Sequence, residues 1–194
     1  MTEITFKNQE EVYNWIFDNM VQNDPRYIPL AEEIMFPIYF IYDKGISIEE
    51  KSLPNIEEPS KEQLTKITGP QKYHKFIALK LLELEGIKKE ETKIEFTFHG
   101  RRADVYAVKN DKEILVECCS CYVLKIIQYL ENLNTELWII TSAEDTQAIK
   151  LFVLKRGKNW DECYGIYKRY KEEEFKRGRE AYDKAINEML NKRS

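Results

Sequence analysis

Apolar residues recur along the chain at two spacings, one typical of helices and one typical of strands. Residues 92–98 alternate apolar and polar side chains, which predicts a half-buried strand. Residues 73–84 have a mainly apolar helical face, and Gly86 is a natural end for that helix. The elements predicted after it are strands over 92–98, 103–108 and 113–119, a helix over 122–133, a strand over 136–141 and a helix over 142–154. This order predicts an α/β fold with a central mixed sheet of about four strands flanked by helices.

The two flanks of this region predict additional helices. Asn8 is a good N-cap for a helix that reaches about residue 20, and residues 43–60 contain the glycine, prolines and acids of a loop. A long helix is predicted over 171–192, with an apolar stripe of Phe175, Tyr182, Ile186 and Met189. We expect one compact domain with three parts, which are a helical N-terminal region at 1–68, the α/β core at 69–160 and a C-terminal helical extension at 161–194.

Composition narrows the class of protein. Hydrophobic residues make up 43% of the chain, which is enough for a core and too many for a disordered chain. Glu3 and Lys7 interrupt any N-terminal apolar run, and the apolar stretch 27–42 contains two glutamates and two prolines, so neither a signal peptide nor a membrane span is predicted. The closely spaced cysteines do not form a secreted disulfide framework. We therefore predict a soluble cytoplasmic protein.

Charge is distributed unevenly in a chain whose net charge is −4. Residues 1–70 hold 6 Lys/Arg and 13 Asp/Glu, whereas residues 150–179 hold 10 Lys/Arg and 5 Asp/Glu. A local basic surface on an acidic protein is able to bind phosphate groups. A solvated charged face is the simpler interpretation of the same segment.

Two carboxylates stand at the open ends of neighbouring predicted strands. Asp104 comes early in one strand and Glu117 comes late in the next, and the short turn between the strands makes them antiparallel. The pair would form an oxygen-rich site for a cation such as Mg²⁺, which polarises a phosphodiester and activates a water molecule. From the spacing alone, the alternative is two exposed acids or two acids in salt bridges with Arg101 or Arg102.

These residues resemble a family signature. The run Gly-Arg-Arg-Ala-Asp-Val at 100–105 and the run Ile-Leu-Val-Glu-Cys-Cys at 114–119 resemble the Asp…Glu-x-Lys signature of the PD-(D/E)XK nuclease superfamily. The order of elements over residues 70–155 is similar to that of archaeal Holliday-junction resolvases and related archaeal and viral nucleases. The resemblance implies a restriction-endonuclease-like core and a metal-dependent DNA endonuclease that uses Mg²⁺ or Mn²⁺. Such an enzyme would act in the cytoplasm, which is the host cytoplasm if the chain is viral.

Residue by residue, the resemblance implies that Asp104 and Glu117 bind the metal and that the backbone carbonyl of Cys118 completes the site. Cys119 stands where the family has its signature lysine, and a thiol cannot supply that fixed positive charge. We expect Lys125 on the following helix to replace the signature lysine. The alternative is that Lys125 is an ordinary solvated lysine of that helix. His74 lies where the family often has an acid on its first helix. The residues expected to hold the nucleic-acid backbone are Arg101, Arg102, Gln128, Lys155, Arg156 and Lys158.

Other interpretations stay open at this point. The displaced lysine also suits a catalytically inactive nuclease-fold protein that binds nucleic acid or serves in assembly, and the residues do not separate DNA from RNA. A zinc site from Cys119 and Cys121 with His99 or Cys163 is a further alternative, because Glu117, Cys119 and Cys121 would share one strand face. It is a poorer match, since structural zinc sites usually use C-x₂₋₄-C pairs from turns and not a C-x-C pair in a strand.

The C-terminal region leaves two further alternatives. Its tyrosines, Tyr164, Tyr167 and Tyr170, would either stack on bases or pack as one helix face. Its apolar stripe would pack either on the protein's own body or on a twin subunit, and we predict a homodimer.

Overall fold

The structure is a computed structural model that describes residues 1–21, 31–119, 121, 123–142 and 148–191, with side chains described up to Lys184. Its helices are α1 (Gln9–Ile16), α2 (Ala31–Tyr42), α3 (Lys61–Thr65), α4 (Lys72–Leu84), α5 (Leu124–Leu130) and α6 (Trp160–Asn191), with a short π-helix at Phe17–Val21 and a 3₁₀ turn at Lys89–Glu91. Its strands are β1 (Thr2–Glu3), β2 (Ile46–Lys51), β3 (Thr92–Phe98), β4 (Arg101–Lys109), β5 (Lys112–Cys118), β6 (Thr135–Ser142) and β7 (Ile149–Arg156).

The seven strands in the described part of the chain form one mixed sheet in the order β1-β2-β7-β6-β5-β4-β3. Only the β5–β6 pair is parallel, because α5 carries the chain back across the sheet between these two strands. The expected α/β class is confirmed, but the expected sheet of about four strands is too small. The four strands predicted between 92 and 141 are present as β3 to β6, and β7, β2 and β1 extend the sheet beyond β6.

Two predicted elements are wrong. The segment 43–60, predicted as a loop, contains β2, whose side chains alternate between buried and part-buried at Ile46–Glu49. The helix predicted over 142–154 is replaced from Ile149 by strand β7, and residues 143–147 lie outside the described part of the chain. The helix prediction fails because β7 lies between β2 and β6 and is buried on both faces from Leu151 to Leu154. Its sequence therefore lacks the period-two pattern that identifies a strand.

The helices cover both faces of the sheet. Apolar residues of α4 pack on one face, and those of α1, α2, α5 and the first part of α6 pack on the other. α6 begins at Trp160, earlier than the predicted start at 171. No helix among the described residues is long and apolar enough to cross a membrane.

The tyrosines at the start of α6 pack against the body of the protein. Tyr167 is buried, with its ring centroid 5.1 Å from that of Phe36 in α2, and Tyr164 stacks on Trp160 at 5.6 Å. Tyr170 packs on Phe36 at 4.8 Å. Packing as one helix face is therefore the correct alternative for these residues.

The antiparallel pairing of β4 and β5 determines where the predicted carboxylates lie. Asn110 and Asp111 form the two-residue turn expected from the sequence, with φ values of 50° and 61° that match a tight hairpin. The first residues of β4 therefore lie beside the last residues of β5. β6, parallel to β5, ends at the same edge of the sheet, which we call the β5 carboxyl edge.

Candidate functional site

Glu117 is the next-to-last residue of β5, and its side chain is only 3% exposed. Lys125 Nζ donates hydrogen bonds to both carboxylate oxygens of Glu117, at 3.0 Å each. The Tyr129 hydroxyl donates to Oε1 at 2.9 Å. Lys125 and Tyr129 are four residues apart in α5, so both side chains reach Glu117 from one face of that helix. The structure therefore brings together Glu117 and Lys125, two residues that are each predicted as site residues from the sequence.

The pKa of Glu117 reflects a balance between burial and its partners. Burial raises the pKa of this carboxyl group to about 7, and the charge of Asp104 acts in the same direction. The positive charge of Lys125 lowers the pKa but does not outweigh the loss of hydration. Glu117 therefore changes its charge near neutral pH, unlike an ordinary glutamate.

This pKa predicts a pH dependence of stability. A glutamate in the unfolded chain loses its proton near pH 4.5, whereas Glu117 in the folded protein keeps its proton up to about pH 7. Between these values the folded state binds more protons, so the free energy of unfolding should fall by about 3 kcal/mol as the pH rises. This stabilisation is complete below pH 4.5 and lost above pH 7. Glu117→Gln should remove that decrease in urea unfolding without metal, whereas Glu113→Gln on the same strand should retain it.

Asp104 has a different set of partners. Its Oδ2 accepts the backbone N–H of Cys118 at 2.8 Å, which ties the start of β4 to the end of β5. Its Oδ1 lies 3.5 Å from Lys75 Nζ in α4. The carboxylates of Asp104 and Glu117 are thus at the same edge of the sheet, but each has its own lysine.

A buried ion-pair cluster surrounds Asp104 and was not identified from the sequence. Lys75 has no exposed surface and pairs with Glu95 of β3, whose other carboxylate oxygen accepts from Arg102 Nε at 2.8 Å. Gly69 packs against this cluster with φ +74°, and a Cβ atom there would lie 2.9 Å from Lys75 Nζ. The only sequence signals were a lysine on the apolar side of a helix and a glycine before it, and neither indicated Glu95 as a partner.

Cys119 does not continue strand β5. It has a left-handed backbone with φ 69°, and its Sγ lies 3.1 Å from His74 Nδ1 in α4. His74 Nε2 lies 2.6 Å from Ser142 Oγ at the end of β6. His74 therefore faces the β5 carboxyl edge, but it contacts Cys119 and Ser142. The prediction that Glu117, Cys119 and Cys121 share one strand face is wrong, because the left-handed residue ends the strand's alternation.

The Cys119–His74 pair is neutral near pH 7. Burial raises the pKa of the Cys119 thiol to about 11, and the charge of Asp104 adds to this increase. Burial lowers the pKa of His74, with Asp104 opposing. A reactive thiolate paired with an imidazolium needs the opposite shifts, so this pair does not have the charges of a thiol nucleophile.

The residues expected to hold nucleic acid separate into two groups. Arg101 and Gln128 meet at the β5 carboxyl edge, where Arg101 Nε donates to Gln128 Oε1 at 2.6 Å, and the neighbouring Arg102 is 66% exposed. The second group lies at the opposite end of the sheet, beside the start of β6, and consists of Lys155, Arg156 and Lys158.

Two residues of the second group, Lys155 and Arg156, contact neighbouring elements of the sheet and of α5. Lys155 pairs with Glu49 at 3.3 Å and Glu136 at 3.5 Å, and Arg156 Nε donates to the carbonyl of Leu130 at 2.6 Å. Lys155, Arg156 and Lys158 therefore lie at the end of the sheet away from the two carboxylates. The charges of Lys155 and Arg156 hold β7 against its neighbours.

The donor atoms at the β5 carboxyl edge suit a hard cation only in part. Asp104, Glu117 and the backbone carbonyl of Cys118 offer oxygen donors, and Mg²⁺ is commonly held by one or two carboxylates with water or phosphate oxygens completing its shell. Over the described ranges, no group of three His, Cys, Asp or Glu side chains is arranged to hold a metal ion, and this includes the zinc alternative. A bound cation would therefore rely on two carboxylates.

Comparisons with known proteins add nothing to this geometry. The chain matches no protein-family model, no curated protein and no solved structure.

Proposed function

We propose that this protein is a metal-dependent DNA endonuclease with a core of the PD-(D/E)XK type, in which Lys125 supplies the positive charge that Cys119 cannot. The contact between Lys125 and Glu117 carries the proposal, because Nζ lies 3.0 Å from both carboxylate oxygens. A lysine from the following helix thus reaches the acid of the signature, although the signature position itself holds a thiol.

The arrangement of elements supports this proposal. The order α4-β3-β4-β5-α5-β6 agrees with the order expected from the resemblance up to β6, whereas the helix expected after β6 is replaced by strand β7. Asp104 and Glu117 lie on adjacent strands, and their charges are close enough for Asp104 to raise the pKa of Glu117. Two negative charges held together at low exposure favour a divalent cation.

Each residue has a chemical task in this proposal. Asp104, Glu117 and the carbonyl of Cys118 would hold Mg²⁺ or Mn²⁺, which supplies Lewis acidity and an activated water. Lys125 would place its charge where negative charge develops on the phosphate. Arg101, Arg102 and Gln128 would contact the DNA backbone next to the cleaved bond.

Metal binding tests the proposal directly. Asp104→Asn and Glu117→Gln should each abolish Mn²⁺ binding in isothermal titration calorimetry, because each removes one of two charged donors while keeping the shape of the side chain. Glu113→Gln is the matched control, since Glu113 lies at the other end of β5 and bonds to Tyr106 at 3.1 Å. Equal Mn²⁺ binding by all four proteins would exclude a metal site at these carboxylates.

A second candidate function is a catalytically inactive nuclease fold that binds nucleic acid or serves in assembly. One observation favours it, which is that Lys75 and Lys125 already neutralise Asp104 and Glu117. Such internal ion pairs would stabilise the edge without a metal. Cleavage of plasmid and branched DNA with Mn²⁺ separates the two functions, because only the enzyme gives metal-dependent products.

A further inference from the structure

Residues 171–184 of α6 have no packing surface on the rest of the described chain. Every side chain from Lys171 to Lys184 is exposed, whereas Tyr167, one turn earlier, is buried. Phe175 is 73% exposed and Tyr182 is 66% exposed, although both are large and apolar. The alternative in which these two residues pack on the protein's own domain is therefore wrong, and the side chains of Ile186 and Met189 lie outside the described residues.

Gly178 adds a second unusual feature to the same face. It lies three residues after Phe175, so the two residues are neighbours on the helix surface. Glycine weakens a helix relative to alanine, and a Cβ atom at Gly178 would meet nothing within 4 Å. No contact within the described chain therefore requires a glycine here. The ring and the open space beside it on one face provide the complementary shapes that a two-fold interface between copies requires.

We propose that Lys171–Lys184 of α6 pairs antiparallel with the same segment of a second copy of this chain. In this register Phe175 of each copy packs into the Gly178 notch of the other. Lys171 lies over the ring of Tyr182 from the other copy, where a cation is favourable. The seam consists of Lys171, Phe175, Gly178 and Tyr182, at the alternating spacing of four and three of a coiled coil.

The charges beside the seam support the antiparallel direction. Glu172 and Arg179 each follow a seam position by one residue, so in an antiparallel pair they lie on the same edge of the seam. The two-fold axis then places Glu172 of each copy beside Arg179 of the other, twice in the dimer. A parallel pair would instead oppose Lys171 to Lys171 and leave a gap between the two Gly178 residues.

Sedimentation of the full chain tests whether this surface forms a dimer. The wild type should be a dimer at micromolar concentrations, and Phe175→Glu should be a monomer, because a charge in the seam is buried without a partner. Leu133→Glu is the matched control, since Leu133 is 78% exposed but lies between α5 and β6, and it should leave the dimer intact. A monomeric wild type, or a dimer that Phe175→Glu does not affect, would overturn the proposal.

Charge reversal tests the direction of the pairing. Glu172→Arg and Arg179→Glu should each raise the dissociation constant of the dimer about tenfold, since each replaces two attractive pairs by repulsive ones. The double variant should restore wild-type affinity. Residues 172 and 179 are roughly 10 Å apart along one helix, so restoration reports a contact between copies. Restoration by Glu174→Arg with Arg179→Glu instead would indicate a parallel pair and overturn the antiparallel register.

Discussion

Replacing Lys125 by methionine should lower the rate of DNA cleavage by about 10²–10³-fold, the usual cost of losing one charge that stabilises a transition state. Methionine keeps the unbranched stem of the side chain, whereas the bonds from Nζ to Glu117 and to the carbonyl of Arg102, both 3.0 Å, are lost. Mn²⁺ and DNA binding should persist, because the missing interaction acts mainly on the transition state. Single-turnover cleavage with saturating Mn²⁺ measures the effect.

Cys119 provides the matched controls for this experiment. Cys119→Ala should leave the cleavage rate within about twofold, because the neutral thiol contributes no fixed charge. Cleavage by Lys125→Met at the wild-type rate would contradict the proposed role of Lys125 and make His74 the next residue to test. If the wild type does not cleave and Cys119→Lys does, the protein is an inactive nuclease fold, and the binding function is the correct one.

The largest expected effect on stability comes from Lys75→Met. Lys75 is fully buried and pairs with Glu95 and Asp104, so its loss leaves two carboxylates of low exposure with less neutralising charge. Removing one partner of a buried ion pair costs about 3–5 kcal/mol, which for a chain of this length corresponds to roughly 10 °C in melting temperature. Urea unfolding at neutral pH, where the carboxylates are charged, measures the free energy.

Lys80 is the matched control, because it shows whether the loss of stability comes from the burial of Lys75 or from replacing any lysine of this helix. Lys80 lies in the same helix and pairs with Glu83 at 2.7 Å, but its side chain is 41% exposed, so Lys80→Met should change stability by less than about 1 kcal/mol. Adding Glu95→Gln to Lys75→Met should recover part of the loss, because it removes one of the uncompensated charges. Equal stability of the two lysine variants would show that the buried cluster contributes nothing.

The candidate site was predictable where local rules determine it. The turn at Asn110-Asp111 fixes the pairing of β4 with β5, and that pairing places Asp104 and Glu117 at one edge of the sheet. Lys125 follows β5 closely enough along the chain for the start of the next helix to bring it back to that edge. These inferences needed only strand pairing and helix geometry, and short stretches of sequence determine both.

The unpredicted parts depend on contacts between distant segments. In the sequence, Glu95 occupies a polar position of an alternating strand. Lys75 lies beside it only because α4 packs on this face of the sheet. The apolar run of β7 fits a buried helix as well as a strand, and its partner β2 lies about a hundred residues earlier in the chain. The left-handed backbone of Cys119 follows from the turn toward α5, and a cysteine gives no local sign of it.

The pairing of β2 with β7 also determines when the protein can fold. Ile46 pairs with Arg156 and Lys51 with Leu151, so a strand made early in synthesis must wait for one made late. Such a long loop closure slows folding, because its entropy is lost before the sheet gains its contacts. Until β2 pairs with it, the apolar strand β7 is an edge strand with unpaired backbone groups that other chains can join. β2 therefore covers a strand that residues 69–160 alone would leave open to pairing with other chains.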